Sequence, residues 1–117
     1  MTQIGKFRST YSTDVLSELV GTIRTINFSG KLSIIKDGNS TNPNAPTHRV
    51  YFIPDDTAKV EVGAAWTQRI KRGPREGEEF LSVTIDDPSW QNSLSFSLFQ
   101  DDETTWLATW RRRQSAA

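Results

Sequence analysis

The sequence predicts a mainly β protein, a single-domain antiparallel β barrel or two-sheet sandwich of about seven or eight short strands. Short stretches of apolar–polar alternation with a period of two recur along the chain, separated by clusters of glycine, proline, asparagine and aspartate. No segment has the sustained i, i+3, i+4, i+7 spacing of an amphipathic helix. A length of 117 residues suits one domain. We assign residues 1–113 to it and expect a frayed tail at residues 114–117.

The first half of the chain contains four stretches that fit strands, at residues 4–8, 19–26, 31–37 and 49–53. Gly21 lies inside the second stretch and indicates a bulge or a close approach of two backbones. The segment 38–47, GNSTNPNAPT, has the composition of a loop. The fourth stretch is apolar on both faces, which predicts a central position in a sheet.

The second half contains four more such stretches, at residues 59–66, 81–85, 94–98 and 106–110. In the first of them Val60, Val62 and Ala64 are expected to share a face, and Gly63 again suggests a bulge. In the last, Trp106, Ala108 and Trp110 alternate with polar or smaller residues in the pattern of a core-facing stripe.

Composition narrows the function classes. Fourteen basic and fourteen acidic residues cancel, which argues against a simple electrostatic DNA coater and equally against an acidic DNA mimic. The chain has no cysteine, so disulfides, thiolate metal sites and a cysteine nucleophile are excluded. It has neither a signal-peptide pattern at its start nor an apolar run of about 20 residues. We therefore expect a cytoplasmic protein without membrane contact.

Basic residues concentrate in a glycine- and proline-containing segment, residues 69–75, which we call the basic turn, and again at residues 111–113. Arginines beside exposed aromatic rings are the usual means of holding single-stranded nucleic acid. The candidate phosphate-binding residues are Arg69, Lys71, Arg72, Arg75 and Arg111. The candidate stacking residues are Trp66 and Trp90. Because a buried tryptophan cannot stack on a base, ordinary packing beside a solvated basic edge is the alternative.

Acidic residues cluster at predicted turns, and those relevant to binding are Asp86, Asp87, Asp101, Asp102 and Glu103. Short carboxylate runs are ordinary on turns, where they keep a protein soluble. They are also candidates for contacting a partner protein. If their loops met at the same end of the fold, these carboxylates could gather Mg²⁺ or Ca²⁺, although nothing in their spacing demands it. We predict no metal site and no cofactor.

The sequence contains no recognisable catalytic constellation. His48 is the only histidine, and a lone histidine is more often structural or exposed than catalytic. The chain has no G-x-S-x-G nucleophile elbow and no G-x-x-x-x-G-K-[ST] phosphate loop. We therefore predict that the protein is not an enzyme.

Five strings carry a family resemblance. They are IGKF near the start, GTIRTI at 21–26, VGAAW at 62–66, REGEEFLSVTIDDPSW at 75–90 and WRRR at 110–113. Together and in this order they resemble the bacterial domain of unknown function family 736 over essentially the whole chain. The resemblance implies a small, mainly β protein of proteobacteria, often carried on plasmids and integrative elements, and it brings no catalytic residues with it.

The leading hypothesis is a non-enzymatic accessory protein of a mobile element that binds nucleic acid or a nucleoprotein complex through its basic turns. The alternative is a protein-binding regulator, such as an inhibitor of a host defence system, that makes contact through acidic loops. A homodimer formed through an exposed sheet edge is compatible with either hypothesis.

Overall fold

The computed structural model describes residues 2–10, 17–26, 28–37 and 45–110. These residues form eight β-strands: β1 Thr2–Ser9, β2 Glu18–Arg24, β3 Ser29–Lys36, β4 His48–Asp55, β5 Ala58–Arg69, β6 Glu79–Ile85, β7 Leu94–Gln100 and β8 Thr105–Trp110. Each strand pairs antiparallel with the next, and β1 pairs with β8. The fold is therefore a closed barrel, which confirms the all-β prediction and decides between barrel and sandwich. No helix in the described part is long and apolar enough to span a membrane.

The pairing of β1 with β8 closes the barrel. Lys6 lies opposite Leu107 and Phe7 opposite Trp106, with one irregularity between Gln3 and Gly5. A closed barrel has no edge strand with unpaired N–H and C=O groups. The described strands therefore offer no free sheet edge through which the homodimer considered from the sequence could form.

The core fills the barrel interior. Alternate residues of the strands point inward, and the largest fully buried side chains include Trp106, Phe7, Leu19, Ile34, Leu81 and Leu98. An eight-stranded barrel has an interior just wide enough for such side chains, so it is a packed core and not a pore. Trp106 is only 2% exposed and Ala108 is fully buried, which confirms the core-facing stripe predicted for β8 at these two positions. Trp110, its third predicted member, is partly exposed at the end of the strand.

Gly21 is a point of close backbone approach. A Cβ atom there would run into the carbonyl oxygen of Lys6 and would lie 2.7 Å from the Cα atom of Phe7. The registers of β2 with β1 and with β3 are unbroken at this position. Of the two alternatives that the sequence left open, a bulge and a close approach, the structure has the close approach.

Gly63 lies beside a bulge, as predicted. Val50 pairs with Gly63, but the next pair is Tyr51 with Glu61, so β5 has one extra residue. This shift changes which face each residue occupies. Ala64 pairs with Arg49 and faces outward, whereas Val62 packs against the core. The expectation that Val60, Val62 and Ala64 share a face is therefore wrong, because a period of two does not hold across a bulge.

Most strand boundaries differ from the predicted ones by one to three residues, for example at the ends of β2 and β5. The stretch predicted to run to residue 26 ends at Arg24, because Thr25 donates a backbone hydrogen bond to Phe28 at 2.7 Å and turns the chain. The stretch predicted to end at residue 66 continues to Arg69, which still pairs with Glu79. Residues 38–44 of the predicted loop and the predicted tail at 114–117 lie outside the described residues.

Because consecutive strands run antiparallel, the connections between them alternate between the two ends of the barrel. The upper end, as we call it, carries the connection 70–78 between β5 and β6 and the connection 101–104 between β7 and β8. The lower end carries the turn 25–28, the tip 55–57 and the connection 86–93 between β6 and β7, together with the first residue of β1 and the last residue of β8. A seven-residue strand such as β6 separates the two ends by about 20 Å.

We expect Gly21→Ala to lower the free energy of unfolding by about 2 kcal/mol, because the added methyl group must push apart two paired backbones. The matched control is Thr22→Ala, at the exposed neighbouring position, which should change it by no more than about 0.5 kcal/mol. Urea unfolding of both variants measures the effect. Equal stability of the two variants would show that β1 and β2 do not approach each other as closely as described.

Candidate nucleic-acid interface and acidic loops

The basic turn lies at the upper end of the barrel. Ile70 donates to the carbonyl of Glu78, and the N–H of Gly77 donates to the carbonyl of Ile70, both at 2.9 Å. Gly73 and Gly77 have φ angles of 95° and 92°, in the left-handed region that favours glycine. These two glycines let the chain reverse direction within a short connection and so present the basic side chains outward.

Two of the four predicted phosphate-binding residues in this turn hold the turn itself. Arg69 donates to the carbonyl of Gly77 at 3.0 Å. Arg75 donates to Glu78 at 2.8 Å and to the carbonyl of Gln100 at 2.7 Å. The hydrogen bond that Arg75 donates to Glu78 raises the pKa of Arg75, and the same bond lowers the pKa of Glu78. Arg75 therefore ties the turn to the end of β7.

The other two cations of the turn, Lys71 and Arg72, are exposed and make no hydrogen bond or ion pair with the described residues. Trp66, the predicted stacking residue on β5, lies opposite Ser82 on the outward side of the barrel and is partly exposed. The structure thus brings Lys71, Arg72 and Trp66 to one hairpin, formed by β5 and β6.

Two further aromatic residues, which the sequence reasoning missed, lie on the same side. The rings of Phe80 and Phe99 stack with centroids 4.9 Å apart and an interplanar angle of 20°. Both are partly exposed. Phe80 lies opposite Gln68 of β5, and Gln68 is two residues along β5 from Trp66. The signal was present in the sequence, because Phe80 is in phase with Ser82 and Thr84, and Phe99 is in phase with Ser95 and Ser97.

We call the outward-facing side of β5 to β8 and β1 the outer wall. Hydroxyl side chains fill its central part, at Ser82, Thr84, Ser95, Ser97 and Thr109. Lys6 and Arg8 are exposed on β1, at the far side of the wall from the basic turn. Lys6 lies opposite Leu107 of β8, and Arg8 lies opposite Thr105. Among β6, β7, β8 and β1, the sole acidic residue is Glu79, at the first position of β6.

Trp90 does not join this surface. Trp90 follows β6 at the lower end, where its ring packs edge-on against Phe28 with centroids 5.2 Å apart and an interplanar angle of 80°. Arg111 lies outside the described residues, and β8 runs away from the basic turn to end at Trp110. The predicted phosphate-binding and stacking residues are therefore not all on one face.

The acidic loops lie at opposite ends. Asp86 and Asp87 follow β6 at the lower end, whereas Asp101, Asp102 and Glu103 follow β7 at the upper end. At a separation of about 20 Å they cannot bind one metal ion together. The described residues contain no group of three or more histidine, aspartate or glutamate side chains suited to a metal ion.

In each acidic loop one aspartate stabilises its own turn. Asp87 accepts hydrogen bonds from the N–H and the hydroxyl of Ser89. Asp102 accepts from the N–H groups of Thr104 and Thr105 at 3.0 and 2.8 Å. These bonds lower the pKa of both carboxyl groups, led at Asp87 by the Ser89 hydroxyl and at Asp102 by the Thr104 N–H. Such aspartate turns fix loop shape and leave the neighbouring carboxylate exposed.

His48 lies inside the barrel and is only 1% exposed. Its Nδ1 atom is 2.9 Å from the hydroxyl of Thr47, which is itself 3.0 Å from the hydroxyl of Thr67. Thr47 also accepts from the N–H of Thr67, so this polar group joins the start of β4 to β5. The position of His48 is that of a structural residue in the core.

Ser89→Ala is expected to raise the pKa of Asp87, because it removes the hydroxyl that lowers it most. A depressed carboxyl pKa adds stability above the unfolded-state pKa, and this stability is lost as the pH falls through the folded-state pKa. The variant should therefore lose less stability than the wild type on acidification. A carbon-detected NMR titration of Asp87 measures the shift, with Ser93→Ala as the control. An unchanged Asp87 titration in Ser89→Ala would contradict the assigned turn.

Comparison with known proteins confirms the family resemblance. No curated protein and no solved structure matches the chain. A family model described as protein of unknown function, DUF736, matches residues 3–113. This range includes β2 to β8 in full and all of β1 except its first residue, Thr2. The chain therefore belongs to the DUF736 family.

Proposed function

We propose that the protein binds single-stranded nucleic acid on the outer wall, beside the basic turn, and catalyses no reaction. The observation that carries this proposal is the shared location of Trp66, Phe80 and Phe99 next to Lys71 and Arg72. Aromatic rings on a strand surface can stack with bases of any sequence, and nearby cations neutralise the phosphates. A duplex keeps its bases paired and stacked, so the rings favour a single strand.

Charge supports the same surface. From Phe80 on β6 to Lys6 on β1 the wall crosses three strand spacings, about 14 Å, and it meets no acidic side chain on the way. Serine and threonine hydroxyls along this path are donors for phosphate oxygens. Lys71 and Arg72 flank one side of the path and Lys6 the other. A strand lying across the wall would therefore meet cations at both sides of the aromatic residues.

The acidic tip 101–103 limits this surface. Asp101 lies close enough to Arg75 to help raise the pKa of its guanidinium, so negative charge borders the wall at its upper rim. A phosphate near the tip would be repelled. We therefore place the bound strand below Phe99, at the level of Trp66 and Ser82 along the barrel, away from residues 101–103.

The role in the cell that we propose is that of an accessory protein of a mobile genetic element, because the family resemblance implies such a context. The partner would be the single strand itself or a nucleoprotein complex that contains it.

Trp66→Ala should weaken binding to a fluorescein-labelled oligothymidine by roughly 5- to 100-fold, the loss of one stacked base.

Lys71→Ser with Arg72→Ser should remove two phosphate contacts. The slope of log affinity against log salt concentration, measured between about 50 and 200 mM, should therefore become less negative by about 1.4. Fluorescence anisotropy measures both effects.

The matched control for the double variant is Lys31→Ser with Arg24→Ser, which removes the same charge from exposed positions on β3 and β2, outside the outer wall. It should leave the salt dependence close to that of the wild type. If the wild type gives no anisotropy change at low salt with either DNA or RNA, the proposed function is wrong.

A second candidate function is binding of a protein, as a regulator such as an inhibitor of a host defence system, through the acidic loops. The uncommitted carboxylate of Asp86 favours it, since this side chain makes no hydrogen bond or ion pair among the described residues. A partner captured after nuclease treatment by the wild type, but not by Asp86→Asn, would support this function. Capture that disappears with nuclease would favour nucleic acid.

A further inference from the structure

A small aromatic pocket opens at the lower end of the barrel. It has a volume of about 200 Å³ and is lined by Phe28, Phe52, Val62, Ile85, Asp86, Asp87 and Trp90. Pockets for small molecules usually measure about 300–1,000 Å³. A volume of about 200 Å³ suits one long side chain better than a whole metabolite.

Three rings form the walls of the pocket. The ring centroids of Phe28 and Phe52 are 5.9 Å apart, and Trp90 meets Phe28 edge-on. A Cβ atom on Gly30 would lie 2.6 Å from the ring of Phe52 and 2.8 Å from that of Phe28, so both rings rest directly on the backbone of β3. The N–H of Trp90 donates to the carbonyl of Asp87 at 2.9 Å, which fixes the loop that carries the third ring.

The rim of the pocket is negative. Asp87 is committed to Ser89, whereas the carboxylate of Asp86 has no partner among the described residues. Asp55 and Asp56 lie on the neighbouring tip between β4 and β5. The described residues of the connections at this end, 25–26, 28, 55–57 and 86–93, include no lysine or arginine. A cation that approaches this end therefore meets no positive charge from these connections.

We propose that this pocket holds a lysine or arginine side chain of a partner polypeptide. Aromatic faces attract ammonium and guanidinium groups, and a carboxylate at the rim adds a charge-assisted hydrogen bond. The apolar stem of a lysine or arginine side chain would contact the rings, and its charged head would reach Asp86. An uncharged side chain of the same length would lose both attractions.

An apolar hollow next to the pocket extends the contact surface. It is lined by Ile4, Ile26, Leu94 and Trp110 with Thr2, Gln3, Arg24 and Thr25, and it has a volume of about 740 Å³. Ile26 is 100% exposed and lies on the same turn as Phe28. Arg24 is the charged residue of this lining, so the hollow disfavours a second cation. The partner segment that fits has one basic residue beside apolar ones.

The inference specifies the chemistry of the acidic-loop candidate and does not depend on nucleic-acid binding, which uses the outer wall and the upper end. Loss of oligothymidine binding would leave it untouched. Loss of cation binding at the pocket would likewise leave the outer wall untouched.

The test is an NMR titration of the ¹⁵N-labelled full chain with Nα-acetyl-lysine amide, which keeps the charged ε-ammonium group. The uncharged probe is N-acetyl-norleucine amide, which keeps the alkyl chain and lacks the ammonium group. The lysine probe should shift the indole signal of Trp90 and the amide signal of Asp86 with saturation, and the norleucine probe should bind at least about fivefold more weakly. Equal binding of the two probes would overturn the proposal.

Two substitutions separate the pocket from general charge. Asp86→Asn should weaken the lysine probe at least about fivefold and leave the norleucine probe unchanged. Asp101→Asn removes the same charge at the upper end and should change neither probe. Both aspartates are exposed, and the thermal unfolding midpoint of each variant checks that the fold is intact. Unchanged lysine binding in Asp86→Asn would also overturn the proposal.

A final variant tests whether the chain fills its own pocket. Three arginines, residues 111–113, follow Trp110 in the sequence. If the wild type does not respond to the lysine probe but Arg111→Ser with Arg112→Ser and Arg113→Ser does, the occupant is the chain itself and the partner proposal is wrong. A response of both proteins supports a partner. Shifts at Trp90 with thymidine monophosphate in place of lysine would also contradict it.

Discussion

The pairing of β1 with β8 holds the barrel closed, and the packed core and the separation of the two ends both follow from it. It joins segments from opposite ends of the sequence, with Phe7 opposite Trp106, and it turns a meander of eight strands into a barrel without edges. Closure also gives every strand an inside and an outside. The large apolar residues of β1 and β8 are buried in a shared core, and residues in the opposite phase, such as Lys6 and Leu107, face outward beside each other.

Closure also separates the chemistry of the two ends. The upper end carries the basic turn and an acidic tip, and Arg75 joins them through Glu78 and the carbonyl of Gln100. The lower end carries aromatic rings with a negative rim. Charges that cancel over the whole chain are thus distributed over surfaces about 20 Å apart, and a net charge of zero conceals this arrangement. The two proposed binding surfaces, the outer wall and the pocket at the lower end, therefore share no residue.

Much of the fold could be predicted from local pattern, and the rest depends on contacts that a local pattern does not contain. Alternation of period two predicted the strands and the buried stripe of β8. It could do so because successive side chains of a strand point to opposite faces, whichever strands lie beside it. Closure could not be predicted, since it requires pairing of strands about a hundred residues apart. The outward aromatic residues Phe80 and Phe99 were predictable from phase. The pocket around Trp90 was not, because it needs the relative positions of two connections and of strands β4, β5 and β6. The roles of Arg69 and Arg75 in holding their turn likewise depend on backbone carbonyls that sequence does not locate.

Interstrand nuclear Overhauser effects between β1 and β8 test whether the barrel is closed. A closed barrel gives contacts between backbone protons of Lys6 and Leu107 and of Phe7 and Trp106, with slow hydrogen exchange along both strands. If β1 and β8 give no such contacts, and if the N–H groups that these two strands direct at each other exchange as fast as those of the connections, the barrel is open. An open sheet would restore two edge strands and would remove Lys6 and Arg8 from the outer wall.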